Sequence, residues 1–515
     1  MSHPRRALRV FMSCPMNAFA KSSRRALVAA VALLASGCSA VSAQPASPPA
    51  RWAAAAASPA SAAAMPSMAP PHAPDSALPA AAQDQIDAMR ITRVPMLDLV
   101  REMNQQRKAA NDLPNDGDAK QAARKAYQQA MNQLEQEAAT RHLLRALYSP
   151  NRLQEQMTWF WLNHFSVHGR KADLRAMVGD YEDSALRPHA LGRFRDLLGA
   201  VAHHPAMLRY LDNAQNAANK INENYARELM ELHTLGVDAG YSQRDVQELA
   251  RVLTGVGIAR DGAEPKLPPN LRPYYVQHGL FAFDPRRHDF GAKQFLGEAI
   301  RAQGLAELDE ALDRLARRPA TARFISKKLA VWWLADEPPE SLVDRMAQTF
   351  RHTDGDIAQV LQTMFGAPEY HASAGNKFKD PMRYVTSALQ LMQGDSVIVN
   401  MTPVLSALNR MGEPLYGRQT PDGYPIDGAS WASAGQMATR FEIAKAIGTG
   451  QMPLFDAQGT PPQDRHHVVP NIDDARFQRE IAPKLSAATR AALAQAKGPQ
   501  EWNTFLLSSP EFMKQ

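Results

Sequence analysis

The sequence predicts a mainly α-helical protein: a large multi-helix body with a short β-hairpin, preceded by an export signal and a disordered tether. Apolar residues recur at helical spacing from about residue 83 onward, whereas only the run 274–283 alternates apolar and polar residues. A chain of 515 residues with 45% hydrophobic and 21% charged residues has a globular composition. We therefore expect a signal peptide with a lipobox at 1–38, a tether at 39–82 and a helical domain at 83–515.

The first 38 residues have the layout of a bacterial export signal. Arg24 and Arg25 end a positive region, and the ten apolar residues 26–35 that follow are too few to span a bilayer as a helix. Small residues then precede Cys38, as in a lipobox, where the cysteine carries the lipid. We expect an outer-membrane lipoprotein held to the membrane by a lipid on Cys38; the alternative is a cleaved signal peptide and a periplasmic protein.

Charge and cysteine content exclude several function classes. The net charge is +6, but residues 1–37 contain six cationic residues and no acid, so the rest of the chain is neutral. A neutral body gives no basis for nucleic-acid binding, which needs a basic surface. Both cysteines, Cys14 and Cys38, precede the predicted domain, which excludes an internal disulfide, a thiol nucleophile and a cysteine-based zinc site there.

Residues 39–82 consist mainly of Ala, Pro and Ser. Such a segment buries too little apolar surface to offset the entropy of ordering it. We expect it to act as a disordered tether that holds the folded body away from the membrane.

Capping signals and apolar spacing predict the helices of the body. Ser149 and Pro150 have the residue types of an N-cap and a first helical position, and Ser242 with Asp245 resembles a capping box. Segments rich in Pro, Gly or polar residues predict loops at 259–273, 413–430 and 455–473. The predicted helices cover 84–106, 118–148, a segment from 150 through 165, 189–202, 224–235, 242–254, 304–316, 319–335, 339–351, 354–366, 378–393, 431–447 and 485–497.

One predicted helix and its entry, residues 222–236, concentrate polar side chains. Glu223, Arg227 and Glu231 are spaced by four residues, which predicts an ion-pair ladder on a solvated face. The alternative interpretation places Glu228 and Glu231 in a cleft, as metal ligands or as general acid and base.

Two further segments carry candidate metal ligands. His164 and His168 are four residues apart, which is ligand spacing on a helix, although a histidine among aromatic residues is more often a packed core residue. His288 and Asp289 have the chemistry to hold a metal, and Lys293 to hold an anionic oxygen. The alternative is a loop whose aspartate accepts backbone hydrogen bonds.

The loop 421–431 contains two Asp-Gly pairs together with Tyr424 and Trp431. Aromatic and acidic side chains of this kind bind sugars, but Asp-Gly is equally the chemistry of tight turns, which we favour here. The sequence lacks the motifs of serine hydrolases, nucleotide-binding loops and zinc proteases.

These motifs together resemble the bacterial "domain of unknown function 1800" family. The resemblance covers residue 85 to the C-terminus and implies a mostly helical, exported protein. Members are often encoded beside a second uncharacterised family with a sulfatase-like look, which implies a partner of that kind. No catalytic residues are established for the family, so none are transferred. The matching elements are Trp161-x-Asn163-His164-Phe165, residues 204–212, residues 222–232, Gly236, Tyr241, Asp245-Val246, Leu253-Thr254-Gly255, residues 288–297, Pro381, Pro421-x-Gly423-Tyr424, Trp431 and Arg440.

Two functions remain open at this point. The first is a hydrolase of the cell envelope, acting on a glycan or another polymer, with or without a divalent metal. The second is a non-catalytic scaffold that binds an envelope protein or glycan, in which the same residues form a structural network. In the hydrolase, Glu228 and Glu231 are acid, base or ligand groups, Arg227 and Lys293 hold anionic oxygens, Asn224 orients them, and His164, His288 and Asp289 are metal ligands.

Overall fold

The computed structural model describes residues 78–515, except 115–116, 260–264, 374, 393–395, 462–463, 465–468, 471 and 473–474. The predicted signal peptide, Cys38 and the tether up to residue 77 lie outside the described residues. The mainly α-helical fold is confirmed. The α-helices of the described part are Ala80–Ala88, Arg90–Arg93, Met96–Asp112, Asp118–Tyr148, Arg152–His164, Val178–Asp180, Phe194–His203, Pro205–Tyr210, Asn224–Glu231, Gln243–Val252, Ala306–Arg317, Pro319–Trp333, Glu340–His352, Ile357–Phe365, Pro368–Ser373, Pro381–Met392, Thr402–Arg410, Ala434–Gly448, Ala475–Glu480, Ala487–Ala494 and Pro499–Leu507.

The N-terminal part of the body differs from its prediction. The first helix starts at Ala80, within the range assigned to the tether, because Ala82 and Ile86 pack into the core. The predicted helix 84–106 is three helices, with breaks at Met89 and at Val94-Pro95. Proline has no backbone N–H to donate and pushes the preceding residue to extended backbone, as Val94 shows with φ −113° and ψ 125°.

Helix boundaries elsewhere shift by a few residues. The helix predicted from Ser149 and Pro150 starts at Arg152, and the Ser149 hydroxyl accepts a hydrogen bond from the Asn151 N–H at 3.2 Å. The predicted helix 189–202 starts at Phe194. The capping box at Ser242 and Asp245 is present, with both reciprocal hydrogen bonds.

The predicted hairpin is present and belongs to a three-stranded antiparallel sheet. Strand β1 is Val256–Ile258, β2 is Val276–His278 and β3 is Phe281–Phe283; β3 lies in the middle. A second, two-stranded sheet pairs β4, Gln294–Phe295, with β5, Glu298–Ala299. Strands of two or three residues carry too little periodicity to be predicted individually.

The helix Arg152–His164 runs through the core. All its residues from Met157 to His164 are buried, and the Trp161 ring packs against Phe165 and Phe194 at centroid distances of 5.9 Å. This helix therefore presents Asn163 and His164 to the interior, beside the segments that carry the other family motifs. Within the described residues, none of the helices is both long and apolar enough to traverse a lipid bilayer.

Candidate functional site

The Asn224–Glu231 helix carries the predicted ion-pair ladder. Arg227 lies 3.2 Å from the Glu223 carboxylate and 3.6 Å from that of Glu231, and it donates a further hydrogen bond to Gln243. All these side chains are partly exposed, so the ladder stabilises the helix by a few tenths of a kcal/mol. The Arg227 and Glu231 side chains thus form an ion pair with each other.

The start of this helix is fixed by asparagine side chains. Asn224 donates its Nδ2–H to the Leu211 carbonyl at 3.1 Å, and Asn222 accepts the Asn224 backbone N–H at 3.0 Å. Asn222 also donates to the Asp212 carbonyl at 3.3 Å. These bonds attach the Asn224–Glu231 helix to the end of the Pro205–Tyr210 helix. The Asn224 side chain therefore fixes the position of the helix backbone.

Glu228 behaves differently from the other residues of its helix. Its half-buried carboxylate makes neither a hydrogen bond nor an ion pair with any described residue. Burial raises the pKa of Glu228, and the negative charges of Glu231 and Asp422 raise it further against the opposite effect of Arg227. Glu228 therefore holds its proton to higher pH than an ordinary glutamate.

Asp422, in the loop after Arg418, has the opposite character. Burial raises its pKa, but hydrogen bonds from Arg418 at 2.9 and 2.8 Å and from Thr420 at 2.6 Å outweigh burial, so the pKa of Asp422 is lowered. Tyr210 donates its hydroxyl hydrogen to the Gln419 carbonyl at 2.9 Å, which attaches this loop to the Pro205–Tyr210 helix. Burial raises the pKa of Tyr210, with contributions from the Asp422 and Glu228 charges.

Lys328, on the Pro319–Trp333 helix, supplies a positive charge to the same region. Its ammonium group lies 5.5 Å from the centre of the Phe324 ring and makes neither a hydrogen bond nor an ion pair with the described residues. Burial lowers the pKa of Lys328 to about 8, and the Asp422 charge partly restores it. We call Glu228, Asp422, Lys328 and Tyr210 the Glu228 cluster, because the Asp422 charge acts on the other three.

Asn163 holds the Asp422 loop in place. Its Oδ1 accepts the Tyr424 backbone N–H at 2.6 Å and its Nδ2 donates to the Tyr424 carbonyl at 2.9 Å. Gly423 has φ +77°, and a Cβ there would lie 2.2 Å from the Asn163 carbonyl oxygen, so only glycine fits. Two motifs that lie far apart in the sequence, Asn163-His164 and Gly423-Tyr424, therefore meet at this contact.

The aromatic residues of the 421–431 loop are not available to stack on a sugar. Tyr424 is 9% exposed and Trp431 5%, and both polar groups are used inside the protein. The Tyr424 hydroxyl donates to the Pro414 carbonyl at 2.8 Å, and the Trp431 indole N–H to the Pro425 carbonyl at 3.0 Å. The loop has the tight-turn chemistry that the sequence favoured.

His164 packs against a second buried histidine. Its Nε2 lies 3.1 Å from the His233 carbonyl, and the two rings are 6.1 Å apart. Both nitrogens of His233 lack a hydrogen-bond partner among the described residues. Burial, reinforced by the Lys328 charge, lowers the pKa of His164 well below its usual value and that of His233 to about 3, so both rings are neutral. His168 lies beyond the end of the helix and outside this pair.

His288, Asp289 and Lys293 belong to a separate buried network. His288 lies 2.8 Å from the Thr254 carbonyl through Nδ1 and 3.1 Å from Glu307 through Nε2, and Lys293 forms an ion pair with Glu307 at 2.7 Å. Asp289 forms an ion pair with Arg251 at 2.7 Å. His164, His288 and Asp289, which the sequence proposed as metal ligands, thus each contact different groups inside the protein. Across the described ranges, groups of three or more His, Cys, Asp or Glu side chains placed to hold a metal ion are absent.

The structure adds two residues to which the sequence gave no role, Lys328 and His233, and it gives Asp422 a charged environment beyond the tight turn that was favoured for it. Lys328 stands in an ordinary amphipathic helix, and Asp422 belongs to an Asp-Gly pair that is typical of a tight turn, so neither local sequence indicates a charged cluster. Only their approach to Glu228 and His164 in the fold gives them a role.

Fold and site together define a class: mainly helical proteins in which the charge of one lysine, Lys328, acts on a buried histidine pair and on a partly buried acid. The chain belongs to the family described as "Protein of unknown function (DUF1800)", whose model matches residues 41–514. No curated protein and no solved structure matches the chain.

Proposed function

We propose that this protein is a cell-envelope hydrolase that cleaves a glycosidic bond by general acid–base catalysis at the Glu228 cluster. The observation that carries the proposal is the Glu228 carboxyl, which is half buried, has no polar partner in the described structure and is subject to the negative charge of Asp422. A half-buried acid without a partner costs stability, and such groups are characteristic of catalytic sites.

The two carboxyl groups have the complementary states that this reaction needs. Hydrolysis of a glycosidic bond requires one protonated carboxyl and one ionised carboxylate. Glu228, with its raised pKa, donates its proton to the leaving oxygen as the glycosidic C–O bond breaks. Asp422, kept ionised by Arg418, accepts a proton from the water whose oxygen forms the new bond.

The proposal assigns no catalytic step to a metal. Arg227, Glu231 and Asn224 support the helix that carries Glu228, and Lys328 takes the role of the cation that the sequence analysis gave to Lys293. Attachment to the outer membrane through Cys38, and a partner from the sulfatase-like family, are parts of the same proposal. The membrane attachment follows from the export signal, and the partner follows from the family resemblance.

The test is hydrolysis of purified envelope glycans by the full chain, measured as new reducing ends. We expect Glu228→Gln to lower the rate by about 10²- to 10⁴-fold, the contribution of a general acid. Glu223→Gln, a matched change on the ladder side of the same helix entry, should stay within about twofold of the wild type. The rate should fall at low pH as Asp422 takes up a proton and at high pH as Glu228 loses its own. Wild-type rates in Glu228→Gln would contradict the proposal.

The second candidate is a non-catalytic scaffold that binds an envelope protein or glycan. It is favoured by one observation: Asn224, Arg227, Glu231, His288, Asp289 and Lys293 all have polar partners inside the protein. Co-sedimentation with insoluble envelope glycan, without release of reducing ends and unchanged in Glu228→Gln, would support the scaffold and exclude the hydrolase.

A further inference from the structure

A separate cleft lies between the Met96–Asp112 and Asp118–Tyr148 helices and the segment that follows His168. Its volume is about 460 Å³. Its lining is polar, with three arginines and a single acid: Arg107, Tyr127, Gln128, Asn132, Arg170, Ala172, Asp173 and Arg175.

The positive charge of this cleft is not neutralised by its own wall. Arg107, Arg170 and Arg175 form no ion pair with a described carboxylate, whereas the wall acid Asp173 forms one with Arg209 at 2.9 Å. Arg175 is only 8% exposed, and a buried guanidinium without a carboxylate is costly unless something compensates it. Burial raises the pKa of the neighbouring Glu135, whereas the charges of Arg170 and Arg175 lower it.

Arg175 also turns its neighbours into hydrogen-bond donors. It donates to Asn132 Oδ1 at 2.6 Å and to Gln128 Oε1 at 2.8 Å. Because a guanidinium has no acceptor, both amides must direct their oxygens to Arg175. Their NH₂ groups, which have no described partner, are left to donate into the cleft.

The backbone beside Arg170 is held in an uncommon conformation. Ala172 has φ +52°, which costs an alanine about 1 kcal/mol, and such residues concentrate at ligand-binding sites. Both neighbours of Ala172 are held by polar contacts. Lys171 donates to the Tyr210 carbonyl and to Asp212, and Asp173 forms its ion pair with Arg209. The cleft wall is thus attached to the Pro205–Tyr210 helix.

We propose that this cleft binds a phosphorylated saccharide, with the phosphate monoester on the three arginines and sugar hydroxyls on the amides of Gln128 and Asn132. Guanidinium groups bind phosphate in bidentate fashion, and a doubly charged phosphate matches three arginines that lack an ion-paired carboxylate better than a carboxylate does. The volume accommodates a sugar as well as the phosphate. This assignment does not depend on the hydrolase proposal, because no residue of the Glu228 cluster lines the cleft.

Calorimetric titration of the full chain with glucose 6-phosphate, inorganic phosphate, glucuronate and glucose tests this site. We expect glucose 6-phosphate to bind most tightly, inorganic phosphate and glucuronate more weakly, and glucose not at all. Arg107→Gln and Arg170→Gln, both at exposed positions that the fold tolerates, should each weaken glucose 6-phosphate binding about 5- to 10-fold. Lys108→Gln removes the same charge from the same helix outside the cleft lining and should leave binding unchanged.

Four results would overturn the assignment in whole or in part. Absence of glucose 6-phosphate binding, or an equal loss in Lys108→Gln, would remove the site. Equal affinity for inorganic phosphate would remove the saccharide part, and tighter binding of glucuronate would remove the phosphate part. Glu228→Gln should bind like the wild type, which separates this site from the outcome of the hydrolysis experiment.

Discussion

At the scale of single residues, the unpaired Glu228 carboxyl predicts a pH-dependent gain in stability from Glu228→Gln. The pKa of Glu228 is raised in the folded protein, so the stability it contributes is present at low pH and is lost as pH rises through the folded pKa. At pH 7 the glutamine variant should therefore be the more stable, by about 1 kcal/mol or less because the group is half exposed.

Denaturant unfolding at pH 4 and pH 7 checks this expectation. The advantage of Glu228→Gln should shrink at pH 4, where the wild-type carboxyl is mostly protonated in both states. Glu223→Gln loses an ion pair with Arg227 instead and should show no gain at pH 7. A constant difference between Glu228→Gln and the wild type at both pH values would contradict the raised pKa.

Some residues of the site could be predicted from the sequence, and others could not. Spacing by four residues was enough to predict the ladder of Glu223, Arg227 and Glu231, because a helix fixes those neighbours locally. It could not distinguish Glu228, whose character depends on Asp422 and Lys328 from distant parts of the chain. Sequence spacing likewise paired His164 with His168, whereas the fold pairs it with His233.

At the scale of elements, the contact between the Asp422 loop and the Arg152–His164 helix predicts that replacing Gly423 lowers the stability of the protein. Gly423→Ala should destabilise the protein by roughly 2 kcal/mol or more, because it combines a positive φ with a Cβ 2.2 Å from the Asn163 carbonyl oxygen. Gly435→Ala is the matched control: it lies within the Ala434–Gly448 helix, and no described atom beyond the local helix backbone and chain neighbours lies within 4 Å of the added Cβ, so it should be neutral or stabilising. Equal unfolding midpoints for the two variants would show that the loop is not held as described.

Most elements follow from local signals, and the exceptions have either a local cause, such as a proline, or a tertiary one. Apolar spacing located the long helices, such as Asp118–Tyr148, and the alternating run located β2 and β3. The helix predicted at 84–106 has its second break at Val94-Pro95 because Pro95 outweighs a continuous apolar pattern. Short helices such as Thr402–Arg410 were missed because they are stabilised by tertiary packing more than by sequence pattern.

At the scale of the whole molecule, the packing of residues 512–515 predicts a rise in stability above neutral pH. Lys379 donates its ammonium hydrogen to the Phe512 carbonyl at 2.7 Å, and its backbone N–H donates to Met513 at 2.8 Å. Burial lowers the pKa of Lys379 to about 7, aided by the nearby Arg440 charge. The unfolded chain therefore binds the extra proton above pH 7, so folding becomes more favourable as pH rises towards the ordinary lysine pKa.

Between pH 7 and pH 9 this linkage should add on the order of 1–2 kcal/mol to the free energy of unfolding, measured by denaturant titration. Lys379→Met should remove most of that rise, and Lys445→Met, a change of the same charge on the Ala434–Gly448 helix, should not. Lys328, whose pKa is lowered to about 8, acts in the same direction, so the rise left in Lys379→Met should shrink further when Lys328→Met is added. A pH-independent free energy of unfolding in the wild type would mean that neither ammonium group is buried in the folded protein.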